Sequence, residues 1–237
     1  MQKVAVVTGS AKGLGRSIAL ALSKEGFTLV IHYHKSKTDA RKVLREIRKI
    51  SGDSISFGCD LRSSEGVLDL AKEVFSKFGR IDLLVNNVGN FAYKHFSQTS
   101  NTEFCDVLES NVYSTLFTSR AFLPAMRKQK SGNIINIGAV GCERVQLTEK
   151  SSTYFFAKTG VYVITKAMAR EEARNGVRIN MISPGSLATD IFQASDFPMG
   201  RSAKCNDVIS ALMFLISPEA QYINGANIEV AGAFIPS

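Results

Sequence analysis

Short apolar runs alternate along the chain with longer segments whose apolar residues recur every third or fourth position. The runs predict strands at Val4–Val7, Thr28–His32, Ile55–Gly58, Leu83–Asn86, Asn133–Ile137, Arg178–Ile182 and Ile228–Val230. The periodic segments predict helices near 14–25, 39–50, 64–78, 103–128, 153–174 and 206–216. Over 64–78, Val67, Leu70, Ala71, Val74, Phe75 and Phe78 hold the helical period until Gly79 stops it. Strands that are apolar throughout, separated by amphipathic helices, predict an α/β fold: a doubly wound parallel sheet of about seven strands with helices on both faces. Ligands of such sheets bind at the carboxyl ends of strands, near the switch point in strand order. Gly9, Asp60, Asn86, Ala139 and Pro184 all fall at or just after predicted strand ends.

Composition narrows the class. Across 237 residues there is no linker, repeat or long charge block, so residues 1–237 are expected to form a single domain with a sizeable core. No apolar run approaches the ~20 residues needed to span a bilayer. The first strand begins almost at once, leaving no room for a signal peptide, so a cytoplasmic protein without membrane partners is expected. Cys59, Cys105, Cys142 and Cys205 are scattered and are expected to be buried or half-buried free thiols. His32, His34 and His95 form no ligand cluster with them, and no metal is expected. The net charge of +8 lies largely in Lys35, Lys37, Arg41, Lys42, Arg45, Arg48 and Lys49. Ala40, Val43, Leu44 and Ile47 interleave with these at helical spacing, so the cations form one helix's outer face. No nucleic-acid reader motif accompanies them, which argues against a nucleic-acid partner; a basic field could steer a polyanionic cofactor.

Two runs carry chemistry. Thr8-Gly9-Ser10-Ala11-Lys12-Gly13-Leu14-Gly15 lies between a strand and a helix, where backbone amides and the helix dipole favour a phosphate. In Tyr154-Phe155-Phe156-Ala157-Lys158, a phenol and an ammonium stand one helical turn apart on one face. The ammonium is expected to pull the phenol pKa of about 10 toward neutrality, making Tyr154 a proton donor and acceptor.

With Cys59-Asp60-Leu61, Asn86-Asn87-Val88-Gly89, Asn111, Ser183-Pro184-Gly185 and Tyr222-Ile223-Asn224-Gly225 added, the chain resembles the short-chain dehydrogenase/reductase family over essentially its whole length. Within that family it is similar to 3-oxoacyl-acyl-carrier-protein reductases in layout and to pteridine reductases in particulars. The resemblance implies a Rossmann-type fold and a nicotinamide cofactor. It implies that Gly9, Gly13 and Gly15 admit the pyrophosphate, with Leu14 beneath the cofactor. Asp60 and Leu61 would hold the adenine, while Asn86, Asn87 and the backbone to Gly89 flank its ribose. Tyr154 would be the acid-base residue and Lys158 would bind the nicotinamide ribose. Asn111 would anchor a proton-relaying water, and Pro184, Gly185 and Thr189 would line the nicotinamide. It also implies a homotetramer (or homodimer) assembled through the helices near 103–128 and 153–174, with Val112, Leu116, Val161 and Ile164 as apolar surplus.

Three departures refine this. After the second strand, His32-Tyr33-His34-Lys35-Ser36 lacks the carboxylate that NAD-specific members use, while Lys12, Arg16, His34, Lys35 and Ser36 could approach a 2′-phosphate. NADP(H) is therefore the expected cofactor, with Lys12 and His34 or Lys35 as contacts. Ala139 stands where the family places a carbonyl-orienting serine, and losing one such donor costs ~10²–10³ in rate. Another hydroxyl (Thr148, Ser151 or Ser152) could serve, the substrate could need none, or the protein could sense NADP(H) without turnover. The segment between Thr189 and Gly200 is short, leaving Phe91, Phe192 and Phe197 available to a flat ring or to their own packing. The expected activity is NADPH-dependent reduction of a C=O or C=N bond in a small, pteridine-like or cyclic substrate. A 3-oxoacyl thioester is the alternative substrate, and an NADP(H)-binding sensor the non-enzymatic alternative.

Overall fold

The computed structural model describes residues 2–145, 148–187 and 191–236. Seven parallel strands form one sheet: β1 (Val4–Val7), β2 (Thr28–Tyr33), β3 (Ile55–Gly58), β4 (Leu83–Asn86), β5 (Gly132–Ile137), β6 (Val177–Pro184) and β7 (Asn227–Val230), in the order β3-β2-β1-β4-β5-β6-β7. The order reverses between β1 and β4, which opens the ligand crevice at their carboxyl ends.

The all-apolar strands are explained by burial on both faces. Ala5 and Val7 of β1 point into one core, while Val4 and Val6 point into the other. On the first face lie α1 (Gly13–Lys24), α2 (Lys37–Arg48) and α7 (Cys205–Ile216). The second is covered by α3 (Ser64–Phe78), α5 (Ser114–Gln129) and α6 (Ser152–Glu172). Local signals set the helix ends: Ser63 accepts from Gly66 N at the start of α3, and Gly79 ends it with φ 66°. In α2, Ala40, Val43 and Ile47 are buried and the cations face outward, as the spacing predicts.

The helix expected over 103–128 is not continuous. It is α4 (Asn101–Leu108), a π-helical turn at Glu109–Tyr113, then α5. The inserted turn carries Asn111, and such turns cluster at functional sites. The apolar period does not register it because the flanking helices keep their own buried faces. Cys105 is exposed, contrary to the expectation of buried or half-buried thiols, because it lies on the outer side of α4.

Candidate active site

The glycine turn follows β1 and starts α1. Gly9 and Gly13 adopt φ +62° and +54°, a region that L-residues with side chains rarely occupy. At Gly15 a Cβ would come within 2.6 Å of both Asn87 Nδ2 and Gly9 O, so the turn folds onto the segment after β4. Asn87 secures that contact: its Nδ2 donates to Thr8 O at 2.9 Å, while Thr8 Oγ1 accepts from Asn87 N and Val88 N. Lys12, the N-cap of α1, places no side-chain oxygen on the helix amides, and nothing lies within 4 Å of a Cβ built on Gly13. The start of α1 at Gly13 therefore faces open space, an arrangement suited to a phosphate. Leu14 packs partly buried against the core beneath the turn.

A residue to which the sequence assigns no role in the site holds this turn. His32, almost fully buried in β2, accepts from Gly9 N at its Nδ1 (3.1 Å) and reaches Cys59 O with Nε2 (3.1 Å). The backbone donor on one side and the acceptor on the other select the Nε2–H tautomer. Burial pushes its pKa down to about 4, so the ring is neutral near pH 7. His32 thus ties the glycine turn to the strand end that carries Asp60.

Asp60 has a partner that the sequence did not reveal. Arg62 grips both carboxylate oxygens and reaches Asp106 Oδ1 of α4 at 2.7 Å. The guanidinium holds the Asp60 carboxyl down to about 2. Asp106 in turn accepts from Asn90 Nδ2, so the loop after β3 is joined to α4 and to the segment beyond β4. Leu61 is buried beside Asp60.

Several expected contacts are revised. Asn86 does not line a ribose site: its side chain is buried within the sheet, bonded to Ser119, Asn136 and Thr118. Lys12 and Arg16 are engaged by acids of α2, Lys12 with Asp39 at 3.0 Å and Arg16 with Glu46 at 2.8 Å. His34 and Lys35 stand exposed just past β2, with His34 Nε2 3.9 Å from Asp60. Thr189 lies outside the described residues.

At the other end of the crevice, Lys158 is buried, donates to Ile137 O at 2.8 Å, and stands 5.5 Å from the centroid of the Tyr154 ring. Burial lowers its pKa to about 8. The same burial raises the Tyr154 pKa above its ordinary value, so the expected pull toward neutrality is not what the site does. The low-polarity surroundings disfavour the charged phenolate. Tyr154 is therefore a protonated donor at neutral pH.

Asn111 Nδ2 donates to Asn90 O (3.0 Å) and Val107 O (2.9 Å), which fixes the orientation of the amide. Its Oδ1 is buried with no hydrogen-bond partner among the described residues, and it lies against Gly89, where a Cβ would fall well inside contact distance of it. A buried acceptor left unsatisfied within the fold is a mark of a site built to take a further donor. Gly185 is likewise constrained by approach, a Cβ there falling 3.1 Å from Ala231 Cα.

Tyr154, Ala139, Gly138, Pro184 and Gly185 line one cavity of about 230 Å³, closed by Phe91, Phe192 and Phe234. The Phe91 ring meets Tyr154 edge-on at 4.9 Å. Phe197 is not available to a ligand: it is buried against Phe192 and Phe234, the latter a C-terminal residue that the sequence reading passed over. Val161, expected as interface surplus, belongs to the interior. Val112 and Ile164 instead line a larger apolar groove of about 820 Å³ with Phe96, Tyr113, Phe156 and Val163.

Comparisons with known proteins agree with this architecture. Residues 3–198 match the family model of the short chain dehydrogenases. The chain is 34% identical over 246 residues to the 3-oxoacyl-[acyl-carrier-protein] reductase FabG of Staphylococcus aureus, covering 98% of each. To the FabG of Haemophilus influenzae it is 32% identical over 243 residues, covering 97% of each. Its structure resembles that of acetoin dehydrogenase YohF from Salmonella typhimurium with a TM-score of 0.90 at 27% identity, covering 99% of this chain and 96% of that one. With its sheet order, its glycine turn and these matches, the chain belongs to the short-chain dehydrogenase/reductase family, oxidoreductases of CH–OH and C=O groups that work with nicotinamide cofactors.

Proposed function

We propose that the protein is an NADPH-dependent reductase of a C=O or C=N bond in a small cyclic, pteridine-like substrate, with Tyr154 as general acid. The reading rests above all on the pairing of a protonated Tyr154 with a buried Lys158 on the wall of a small, aromatic-rimmed cavity.

The residues present fit a nicotinamide dinucleotide. The uncapped start of α1 suits its pyrophosphate, Asp60 and Leu61 its adenine, and the open Oδ1 of Asn111 a relay group beside the reacting end. Asn87 and Gly89 would flank the adenosine ribose, Lys158 the second ribose, and Pro184, Gly185 and Thr189 the nicotinamide. When bound, the dihydronicotinamide supplies a hydride. Preference for the 2′-phosphate rests on His34 and Lys35, which no carboxylate of β2 opposes; Lys12 would join them by leaving Asp39.

The chemistry asked of the chain is proton delivery and orientation. Tyr154 holds its proton at neutral pH and gives it to the substrate oxygen or nitrogen as negative charge develops there. Lys158 carries a proton that titrates near 8, within reach of the Tyr154 ring. Phe91, Phe192 and Phe234 exclude water and offer faces to a flat ring. A 3-oxoacyl thioester is the second reading, favoured by the identity to the FabG relatives. We further propose one domain assembled as a homotetramer or homodimer. No helix of the described residues is long and apolar enough to cross a membrane.

The test is NADPH and NADH oxidation with dihydropterins, an acetoacetyl thioester and small diketones, each with the parent protein and Tyr154→Phe. Turnover that disappears in the variant, while NADPH affinity stays within about threefold, supports the assignment. Undiminished turnover removes Tyr154 as the acid. The best substrate chooses between the two readings, and a preference for NADH would overturn the cofactor assignment.

A further inference from the structure

Ala139 puts a methyl group on the cavity wall where a hydrogen-bond donor would steady the reacting oxygen. Three hydroxyls precede Tyr154, and the structure separates them. Thr148 Oγ1 accepts from Ser151 N at 3.0 Å, and Thr148 is not among the residues that line the cavity. Ser152 Oγ donates to Thr148 O at 2.7 Å, and its side chain borders the outer apolar groove beside Phe156 and Val163.

Ser151 differs from both. It is 8% exposed, it lines the same cavity as Ala139 and Tyr154, and its hydroxyl has no hydrogen-bond partner among the described residues. That freedom is unusual for its position. Ser151 is the N-cap of α6, where a serine oxygen ordinarily accepts from the first-turn amides, yet its side chain makes no cap bond. A hydroxyl that neither caps its helix nor bonds elsewhere among the described residues, and that stands on the cavity wall, is free to donate to a ligand there. It precedes Tyr154 by three residues, at the N-cap of the helix whose first turn carries Tyr154, and both line the cavity.

We propose that Ser151 is a catalytic residue that replaces the donor lost at position 139, hydrogen-bonding the substrate oxygen that Tyr154 protonates. The inference rests on the reductase reading above. Ser151 keeps its own proton throughout; the proton transferred to the oxygen is that of Tyr154. Acid and orienting donor then ride on the same first turn of α6, whereas in the usual arrangement the donor rides on the loop after β5.

The experiment compares the parent protein, Ser151→Ala, Ala139→Ser, the double variant and Tyr154→Phe on whichever member of the carbonyl panel the parent turns over. Because removing one donor at a developing oxyanion costs about 10²–10³ in rate, Ser151→Ala should lower kcat by roughly that factor. Its KM for NADPH should stay within about twofold and its Tm unchanged, since the hydroxyl makes no bond in the fold. Ala139→Ser in the Ser151→Ala background should recover at least a tenth of the parent rate, because it restores a donor on the cavity wall. Full turnover by Ser151→Ala, with Tyr154→Phe inactive, overturns the role of Ser151 and leaves the reductase reading intact. A drop in Tm with no recovery in the double variant also overturns it, by showing a structural role. A parent protein inert on every substrate, or an active Tyr154→Phe, defeats the reductase reading and this inference with it.

Discussion

The Cα of Gly89 packs against Asn111 Oδ1 so closely that a methyl group at position 89 would displace the amide. The φ of Gly89 is not in the left-handed region, so its glycine is explained by this approach and not by turn geometry. Gly89→Ala should therefore push Asn111 off its bonds to Asn90 O and Val107 O. Overpacking of this kind costs about 1–3 kcal/mol, readable by urea denaturation, and turnover should fall further than stability. A variant with parental stability and rate would show that the π-helical turn yields freely.

His32 makes a pH prediction with a definite sign. Its folded pKa is about 4 against an ordinary 6.5, so the unfolded chain binds the extra proton first as pH falls. Stability should drop between pH 6.5 and 4, by at most about 3 kcal/mol for this group. In His32→Asn, whose Oδ1 can still accept from Gly9 N, that portion of the slope should vanish. Urea denaturation at half-unit pH intervals, compared between the two proteins, is the check; parallel curves would remove His32 as the cause.

Lys158 predicts the alkaline limb of the rate profile. Its ammonium is present below about pH 8 and lost above it. For the reduction, kcat/KM should decline above that pH, since this parameter reports groups of the free enzyme. A profile flat to pH 10 would mean that the charge on Lys158 is not required.

Arg62→Ala should free the Asp60 carboxylate from its grip and cut the tie to Asp106. We expect the KM for NADPH to rise about three- to tenfold with kcat nearly unchanged, since the loss is of a positioned charge-assisted pair remote from Tyr154. An unchanged KM would show that the loop after β3 keeps its shape without Arg62.

Phe156 and Val163 are 60% and 57% exposed on the groove between α4, the π-helical turn and α6. An apolar surface of this extent is what the proposed assembly would bury. Phe156→Asp with Val163→Asp should convert a dimer or tetramer to monomer on size-exclusion chromatography at micromolar concentration. A parent protein that already elutes as monomer would defeat the assembly reading.

The sheet was legible in the sequence because parallel strands buried on two faces must be apolar at every position, as Val4–Val7 and Leu83–Val85 are. The motif residues were legible because short-range geometry sets them: glycines at a strand-helix turn, a phenol and an ammonium one turn apart. What escaped notice is held by distant contacts. His32 meets Gly9 and Cys59 across 23 and 27 residues, and Arg62 meets Asp106 across 44, so no local pattern announces either. Phe234 is brought to Phe192 only by the course of the chain after β7. The protonation of Tyr154 was misjudged for a related reason: spacing reveals the neighbouring ammonium but not the burial that opposes it.

The π-helical turn at Glu109–Tyr113 has a consequence for anyone who would stabilise this protein. Deleting one residue from it would let α4 and α5 merge into a single regular helix, which is the change that a search for thermal tolerance rewards. The merged helix would keep the flanking buried faces in register but lose the turn that sets Asn111 against Asn90. Heat-selected variants shortened at this point should be robust and inert, so the irregularity is a place where durability and activity cannot be improved together.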